Sequence, residues 1–346
     1  VSDPYADVTW YDIRDFGLPV LGWQEQEREQ PFDRFPLAMK DRIQEGLWGL
    51  SNKPAGLYVD FRGAPKQLFA RWNLTTPLAS DDKINRMPQA GLDLYARDGR
   101  GAWHWAGSRS PWNPPFCDGS LPYGDLDGAE RDYRVYLPIS TRVDQVLIGS
   151  KTPLSPVQHP DQRKPIAYYG SSIVHGAGVS RPGMPHACQL GRMLDRHLMN
   201  LGFAGRAWCE PAVAELLGQL DPALYLVDCV PNNSPEQLRE RLPGFLRILR
   251  QARPHTPILL VEDRRFGGAR FQPARMSEFQ EKNRMQHLIL EELKAEGLSG
   301  LHLASHPDWY GEDGEGTIDG SHPTDLGAWR MATALEPKVR ALLEQA

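Results

Sequence analysis

Ser172 comes just after the apolar run Ile166-Ala167-Tyr168-Tyr169 and Gly170, and Asp319-Gly320-Ser321-His322 lies near the far end of the chain. A serine hydroxyl is a poor nucleophile at neutral pH until a neighbouring base takes its proton. Histidine can be that base, and an aspartate three residues before it can orient the ring and stabilise its charged form. The order serine, aspartate, histidine is no obstacle, because roles rather than order define such a triad. The residues therefore predict that Ser172 and His322 meet in space and that chemistry passes through an acyl-serine. Ser171 competes with Ser172, since spacing does not separate two adjacent hydroxyls. His302 and His306, flanking the end of the last apolar run, compete with His322.

Composition narrows what surrounds these residues. The 346-residue length fits two domains better than one. A charged fraction of 24% and a hydrophobic fraction of 40% are ordinary for a soluble globular chain. The net charge of −5 argues against a polyanionic partner, because nucleic-acid binders carry a basic footprint. Apolar runs such as Ile258-Leu259-Leu260-Val261 fall far short of a membrane span of roughly 20 residues. Cys117, Cys188, Cys209 and Cys229 show no C-x-x-C pairing, so they read as buried free thiols rather than a zinc or redox site. The sequence starts at Val1 without a signal-like segment. A cytoplasmic chain and one exported after signal removal both fit.

Two periodicities divide the chain. Over residues 1–155, period-two runs at 56–61, 67–74, 92–97, 102–105, 133–137 and 145–148 alternate with Gly, Pro and Asp clusters. Arg97-Asp98-Gly99-Arg100-Gly101 reads as a hairpin tip, and many short strands predict a β-sandwich. A polar, helix-like segment runs from Leu37 to Leu50. The stretch Thr152 to Pro165, with four prolines, reads as the linker.

Over residues 156–346, short apolar runs at 166–169, 224–227, 258–261 and 301–303, with a shorter one at 200–203, alternate with helical patterns. The helices are expected at 184–199, 211–220, 235–251, 276–295 and 323–343, with Pro211, Pro235 and Pro323 in first turns. That alternation predicts a parallel sheet covered by helices on both faces. Ligands bind such sheets beyond the carboxyl ends of the strands. Ser172, Asn232, Asp319 and His322 all follow strands and should gather on one edge.

His175 is assigned to the pocket wall as a substrate-binding residue, with a solvent-facing position as the alternative. His186 and His197, eleven residues apart, suit no metal site and read as helix-surface residues. Glu262 and Asp263 end the fourth strand, in structural roles more readily than against substrate. Trp103 and Trp105 share a strand face. They are expected in sandwich or interdomain packing, with a sugar-stacking platform as the other option.

These residues resemble the SGNH, or GDSL-type, hydrolase family, whose first block is G-D-S at the start of a flavodoxin-like domain. Here it is Gly170-Ser171-Ser172-Ile173, with serine for the aspartate. Val174 stands where the G-x-S-x-G elbow of another hydrolase class wants glycine. Asn200-Leu201-Gly202-Phe203-Ala204-Gly205 matches the N-x-x-x-x-G second block, which points to Gly205 rather than Gly202. The third block, normally G-x-N-D, keeps only its asparagine within Leu226 to Asn233. Asn232 aligns with it and Asn233 stays open. Asp319-Gly320-Ser321-His322-Pro323 matches D-x-x-H-P in full. The first half resembles the β-sandwich that precedes one branch of this family and carries G-x-D-L-Y, here Gly91-Leu92-Asp93-Leu94-Tyr95, with the early Trp10-Tyr11-Asp12.

The resemblance implies an α/β fold: a flavodoxin-like SGNH domain with a five-stranded parallel sheet (156–346) behind an N-terminal β-sandwich (1–155). It implies Ser172 as nucleophile, His322 as base and Asp319 as its partner. Ser172 N–H, Gly205 N–H and the Asn232 amide would form the oxyanion hole, with no metal or cofactor. The expected activity is ester hydrolysis on short, acetyl-like groups of a carbohydrate or similar polar molecule. Acyl transfer to an alcohol is the alternative, and an inactive glycan-binding protein is a third reading. The expected partner is a small-molecule or glycan ester, not nucleic acid or membrane, and a homo-oligomer is left open.

Overall fold

The computed structural model describes residues 5–17, 26–78, 83–157 and 163–345. The first half begins with β1 (Thr9–Asp12), α1 (Glu45–Ser51), β2 (Tyr58–Gly63), β3 (Leu68–Leu74), α2 (Arg86–Ala90), β4 (Leu92–Arg97) and β5 (Trp103–Arg109). β6 (Phe116–Ser120), β7 (Arg131–Tyr136), β8 (Val143–Ser150) and β9 (Leu154–Pro156) follow. They form two antiparallel sheets, ordered β1-β8-β3-β6 and β5-β4-β7-β2-β9. β4 and β5 are the expected hairpin, its tip held by Asp98 Oδ1, which accepts the N–H groups of Arg100 and Ala102.

In the second half β10 (Ile166–Gly170) leads into a single turn, α3 (Ser172–His175). Then come α4 (His186–Met193), β11 (Leu198–Gly202), α5 (Pro211–Gly218), β12 (Leu224–Asp228) and α6 (Pro235–Ala252). β13 (Ile258–Val261), α7 (Pro273–Ala295), β14 (Leu301–Ala304) and α8 (Asp325–Leu343) complete the chain. The five strands are all parallel, in the order β11-β10-β12-β13-β14. Every residue of β10, β11 and β12 is buried, as covering helices on both faces require. Gly170 pairs with both Gly202 and Asp228, so three strands end at one level and their loops leave the sheet side by side.

Several local expectations give way to tertiary packing. The helix expected over 184–199 spans only His186–Met193, and residues 198–202 become β11. The polar segment from Leu37 to Leu50 holds a 3-10 turn (Leu37–Met39) and then α1. Pro211 and Pro235 do open helices, but Pro323 stands one residue before Thr324, the cap of α8. β6 alternates in burial, but its residues, Phe116-Cys117-Asp118-Gly119-Ser120, do not alternate in hydropathy, and β9 lies inside the segment read as a linker, paired to β2. Pro160 of that segment is outside the described residues.

The two halves share a packed boundary. Arg34 is wholly buried and donates to the carbonyls of Leu50, Lys53, Asn200 and Gly202 at 2.7–3.0 Å, with its guanidinium 4.6 Å from the Phe203 ring. Buried charge is tolerated where hydrogen bonds replace water. Here they tie the first half to the end of β11.

Candidate active site

Ser171 caps α3: its Oγ accepts the N–H of Ile173 at 3.3 Å, and the residue is fully buried. Ser172 is the first residue of that turn, half-buried, so its N–H is one of the helix-start donors without an intrahelical acceptor. Its Oγ lies 2.8 Å from His322 Nε2. On the other side of the ring, Nδ1 lies 2.7 Å from Asp319 Oδ2. Asp319 Oδ1 also accepts the N–H groups of His322 (2.8 Å) and Ser321 (3.0 Å), which fixes the carboxylate within its own turn. Burial raises the Asp319 pKa, but the donors from His322 and Ser321 outweigh it and hold it below the ordinary carboxylate value. A hydroxyl bonded to an imidazole that is braced by an ionised carboxylate is arranged for proton removal.

Neighbouring glycines and asparagines differ in which hydrogen bonds they already make. Gly202 donates its N–H to Asn200 Oδ1 at 2.9 Å, and its carbonyl takes Arg34 and the His175 ring. Gly205 sits in a left-handed turn, φ +69°, that favours glycine. Among the described residues nothing accepts its N–H. Asn233 is 2% exposed and spends both Nδ2 hydrogens on the carbonyls of Ala207 and Cys229, each at 2.8 Å. Asn232 Oδ1 accepts the N–H of Ala207 at 3.2 Å, and its Nδ2 has no acceptor among the described residues. Phe203 N–H donates to Gly170 O at 2.8 Å, so the turn that carries Gly205 is fastened beside the end of β10.

Both halves of the chain match known families. The description "GDSL-like Lipase/Acylhydrolase family" covers residues 163–340, and "N-terminus of Esterase_SGNH_hydro-type" covers residues 8–154. The chain belongs to the GDSL-like lipase/acylhydrolase family. It is an SGNH-type ester hydrolase with the GxDLY domain in front. A structure described as a GDSL-like lipase from Bacteroides ovatus is similar at 28% identity, with a TM-score of 0.90 over 97% of this chain and 98% of that one. A salicylyl-acyltransferase from a tetracycline biosynthetic pathway shares the fold, with 19% identity, a TM-score of 0.71 and coverage of 99% and 96%. So does a family two carbohydrate esterase from Cellvibrio japonicus, at 14% identity, TM-score 0.59, 97% and 98%.

Among the described histidines of this GDSL-like chain, His322 is the one bonded to Ser172. His175 is no pocket-wall residue: it is 1% exposed with Nδ1 3.0 Å from Gly202 O, and burial drops its pKa to about 3. The turn of α3 points it inward against the end of β11 and beside Arg34 of the first half, an orientation hidden when only its nearness to Ser172 is known. His186 is not a surface residue either, being fully buried with Nε2 2.9 Å from Tyr168 Oη. His197 precedes β11 and bonds Tyr58 Oη at 3.0 Å. His306 Nδ1 accepts the N–H of Asp308, and His302 lies half-buried on β14. Trp105 is half-exposed beside Arg181 of the second half, and Trp103 is half-buried.

Sequence reading missed the charged floor. Arg264 and Asp228, both buried, form a two-pronged ion pair at the ends of β13 and β12. Their spacing of 36 residues carries no local signal; only the adjacency of the two strands does. A cleft of about 250 Å³ opens between Ile173, Pro231, Gly320 and Ser321, the immediate neighbours of Ser172, Asn232, Asp319 and His322. Its other walls are Asp263, Arg264, Phe266, Arg275, Glu278, Phe279 and Lys282. Lys282 lies 3.1 Å from Glu278 and 3.9 Å from Asp263, so the wall charges are largely paired. Glu262 stays outside this wall, bonded to His287 at 2.5 Å.

Proposed function

We propose that this GDSL-like protein hydrolyses short-chain carboxylic esters of a polar alcohol through an acyl-serine on Ser172. The observation that carries the reading is the continuous hydrogen-bonded line from Ser172 Oγ through His322 to Asp319. In this reading His322 Nε2 takes the hydroxyl proton as Ser172 Oγ bonds to the ester carbonyl carbon, and returns it to the departing alcohol oxygen. Water then adds to the acyl-serine, its proton again passing to His322, and Ser172 leaves with that proton. The oxyanion formed in each half would be held by the N–H groups of Ser172 and Gly205 and by Asn232 Nδ2, three donors that have no acceptor among the described residues.

Paired charges and two phenylalanines around the cleft favour a polar, hydroxyl-rich alcohol over a long acyl chain, which would strand those charges against hydrocarbon. Aryl acetate and aryl palmitate turnover, followed by a screen of acetylated sugars, tests this. Acetate is expected to be favoured by at least tenfold in kcat/KM, and preference for palmitate would end the short-chain reading. New ester formed with an added alcohol in water-rich buffer would instead make the enzyme an acyltransferase.

A further inference from the structure

The signature strand of the first domain grips the loop that packs on the His322 segment. Asp93 on β4 is fully buried, and its carboxylate accepts four hydrogen bonds. Arg181 Nη1 reaches both oxygens at 2.9 and 3.0 Å, Gly183 N–H donates at 3.0 Å and Trp105 Nε1 at 3.0 Å. Tyr95, two residues on and facing the same side, accepts from Arg181 at 3.3 Å. Arg192 lies 4.1 Å over the Tyr95 ring and donates to Gly183 O at 2.8 Å. Residues 181–183 are thus fixed to the β-sandwich.

The other end of that loop meets the site. Ser180 donates its N–H to Asp325 Oδ1 at 2.8 Å, and its hydroxyl to Oδ2 of the same carboxylate, three residues after His322. Gly178 packs so closely on the His322–Pro323 backbone that a Cβ there would stand 2.4 Å from Pro323 O. Its N–H donates to Lys83 O of the first domain at 3.0 Å. From the Asp93 contact to the His322 contact there are only a few residues of chain, bonded at both ends.

We infer that Asp93 is a positioning residue for His322, acting through residues 178–183. A buried ion pair is weak grounds for a stabilising role, whereas a braced loop holds a base in register, and a displacement of about 1 Å can cost roughly 10²-fold in rate. The inference rests on His322 being the base, as in the function proposed above.

The test uses the full chain, with folding checked by circular dichroism and thermal melting. Asp93→Asn/Arg181→Gln removes both members of the ion pair together. Gly178→Ala pushes on the His322 segment directly. Each is expected to lower kcat for aryl acetate about 10- to 100-fold with KM within threefold, and to slow labelling of Ser172 by a serine-directed phosphonate equally. A folded double variant, or folded Gly178→Ala, that turns over and labels within twofold of wild type overturns the inference. If the double variant does not fold, Ser180→Ala on the exposed part of the loop decides: about tenfold slower labelling supports the inference, and a wild-type rate overturns it. Wild-type protein that takes no label at Ser172 would instead overturn the assignment of the serine and its base, and this inference with it.

Discussion

Asn232 and Asn233 are adjacent and chemically identical, yet their replacement should have opposite signatures. Asn233 is 2% exposed and satisfies the carbonyls of Ala207 and Cys229 at 2.8 Å each. Asn233→Ala leaves the buried Ala207 carbonyl without a donor, at about 1–3 kcal/mol, and leaves Cys229 O with only the Asn232 N–H at 3.1 Å. It should therefore lower the melting temperature by several degrees. Asn232 makes one bond of 3.2 Å to Ala207 N–H, so its loss should cost only about 1 kcal/mol of stability. Its unpartnered Nδ2 is what the reaction would lose. Removing one oxyanion donor costs about 10²–10³ in kcat, or roughly 2.7–4 kcal/mol of transition-state stabilisation. The assay is steady-state hydrolysis of aryl acetate beside thermal melting of both variants. Asn232→Ala should show near-wild-type KM and melting with a kcat at least 100-fold down. A kcat within threefold of wild type would refute the oxyanion assignment and turn attention to Asn233.

Ser171→Ala should lose a helix cap at a cost of about 1 kcal/mol, seen in denaturant unfolding, and still take a phosphonate on Ser172; loss of the label would contradict the assignment. Asp319→Asn should lower kcat by up to about 10⁴, because the imidazole loses its orienting acceptor. The folded-state pKa of Asp319 is depressed, so its ionisation stabilises the native state above the ordinary value of about 3.9 and that contribution is lost as pH falls below it. Wild type should thus lose its melting advantage over Asp319→Asn below about pH 4, and a pH-independent difference would contradict this. His175 has its folded pKa depressed to about 3, so acid protonates the unfolded chain first and stability declines from about pH 6.5 downward. His175→Asn should flatten the melting curve between pH 6.5 and 4, and an unchanged slope would refute that cause.

Strand-helix alternation made the parallel sheet legible, because strands buried on both faces read as unbroken apolar runs, as in Leu224-Tyr225-Leu226-Val227. The Ser172–His322 pairing was legible for a related reason: residues that follow parallel strands must emerge on one edge. What failed was direction and context within a turn. His175 lies three residues from Ser172, but one turn of helix points it inward. β11 was hidden in part because Leu198 and Met199 also continue the apolar face of the preceding helix. Arg34, Arg264 and the half-buried Arg181 were invisible, since an arginine of this kind is recognised only by its distant partners: carbonyls of β11, Asp228 and Asp93.

Rapid quenching of the enzyme with aryl acetate, followed by peptide mass spectrometry, tests whether the Ser172 oxygen carries the acyl group between the two half-reactions. An acetyl group should appear within the first turnover, with fragment ions placing it on Ser172, and should be absent from Ser172→Ala. Acetyl on Ser171, or steady hydrolysis by a Ser172→Ala enzyme at the wild-type rate, would contradict the account.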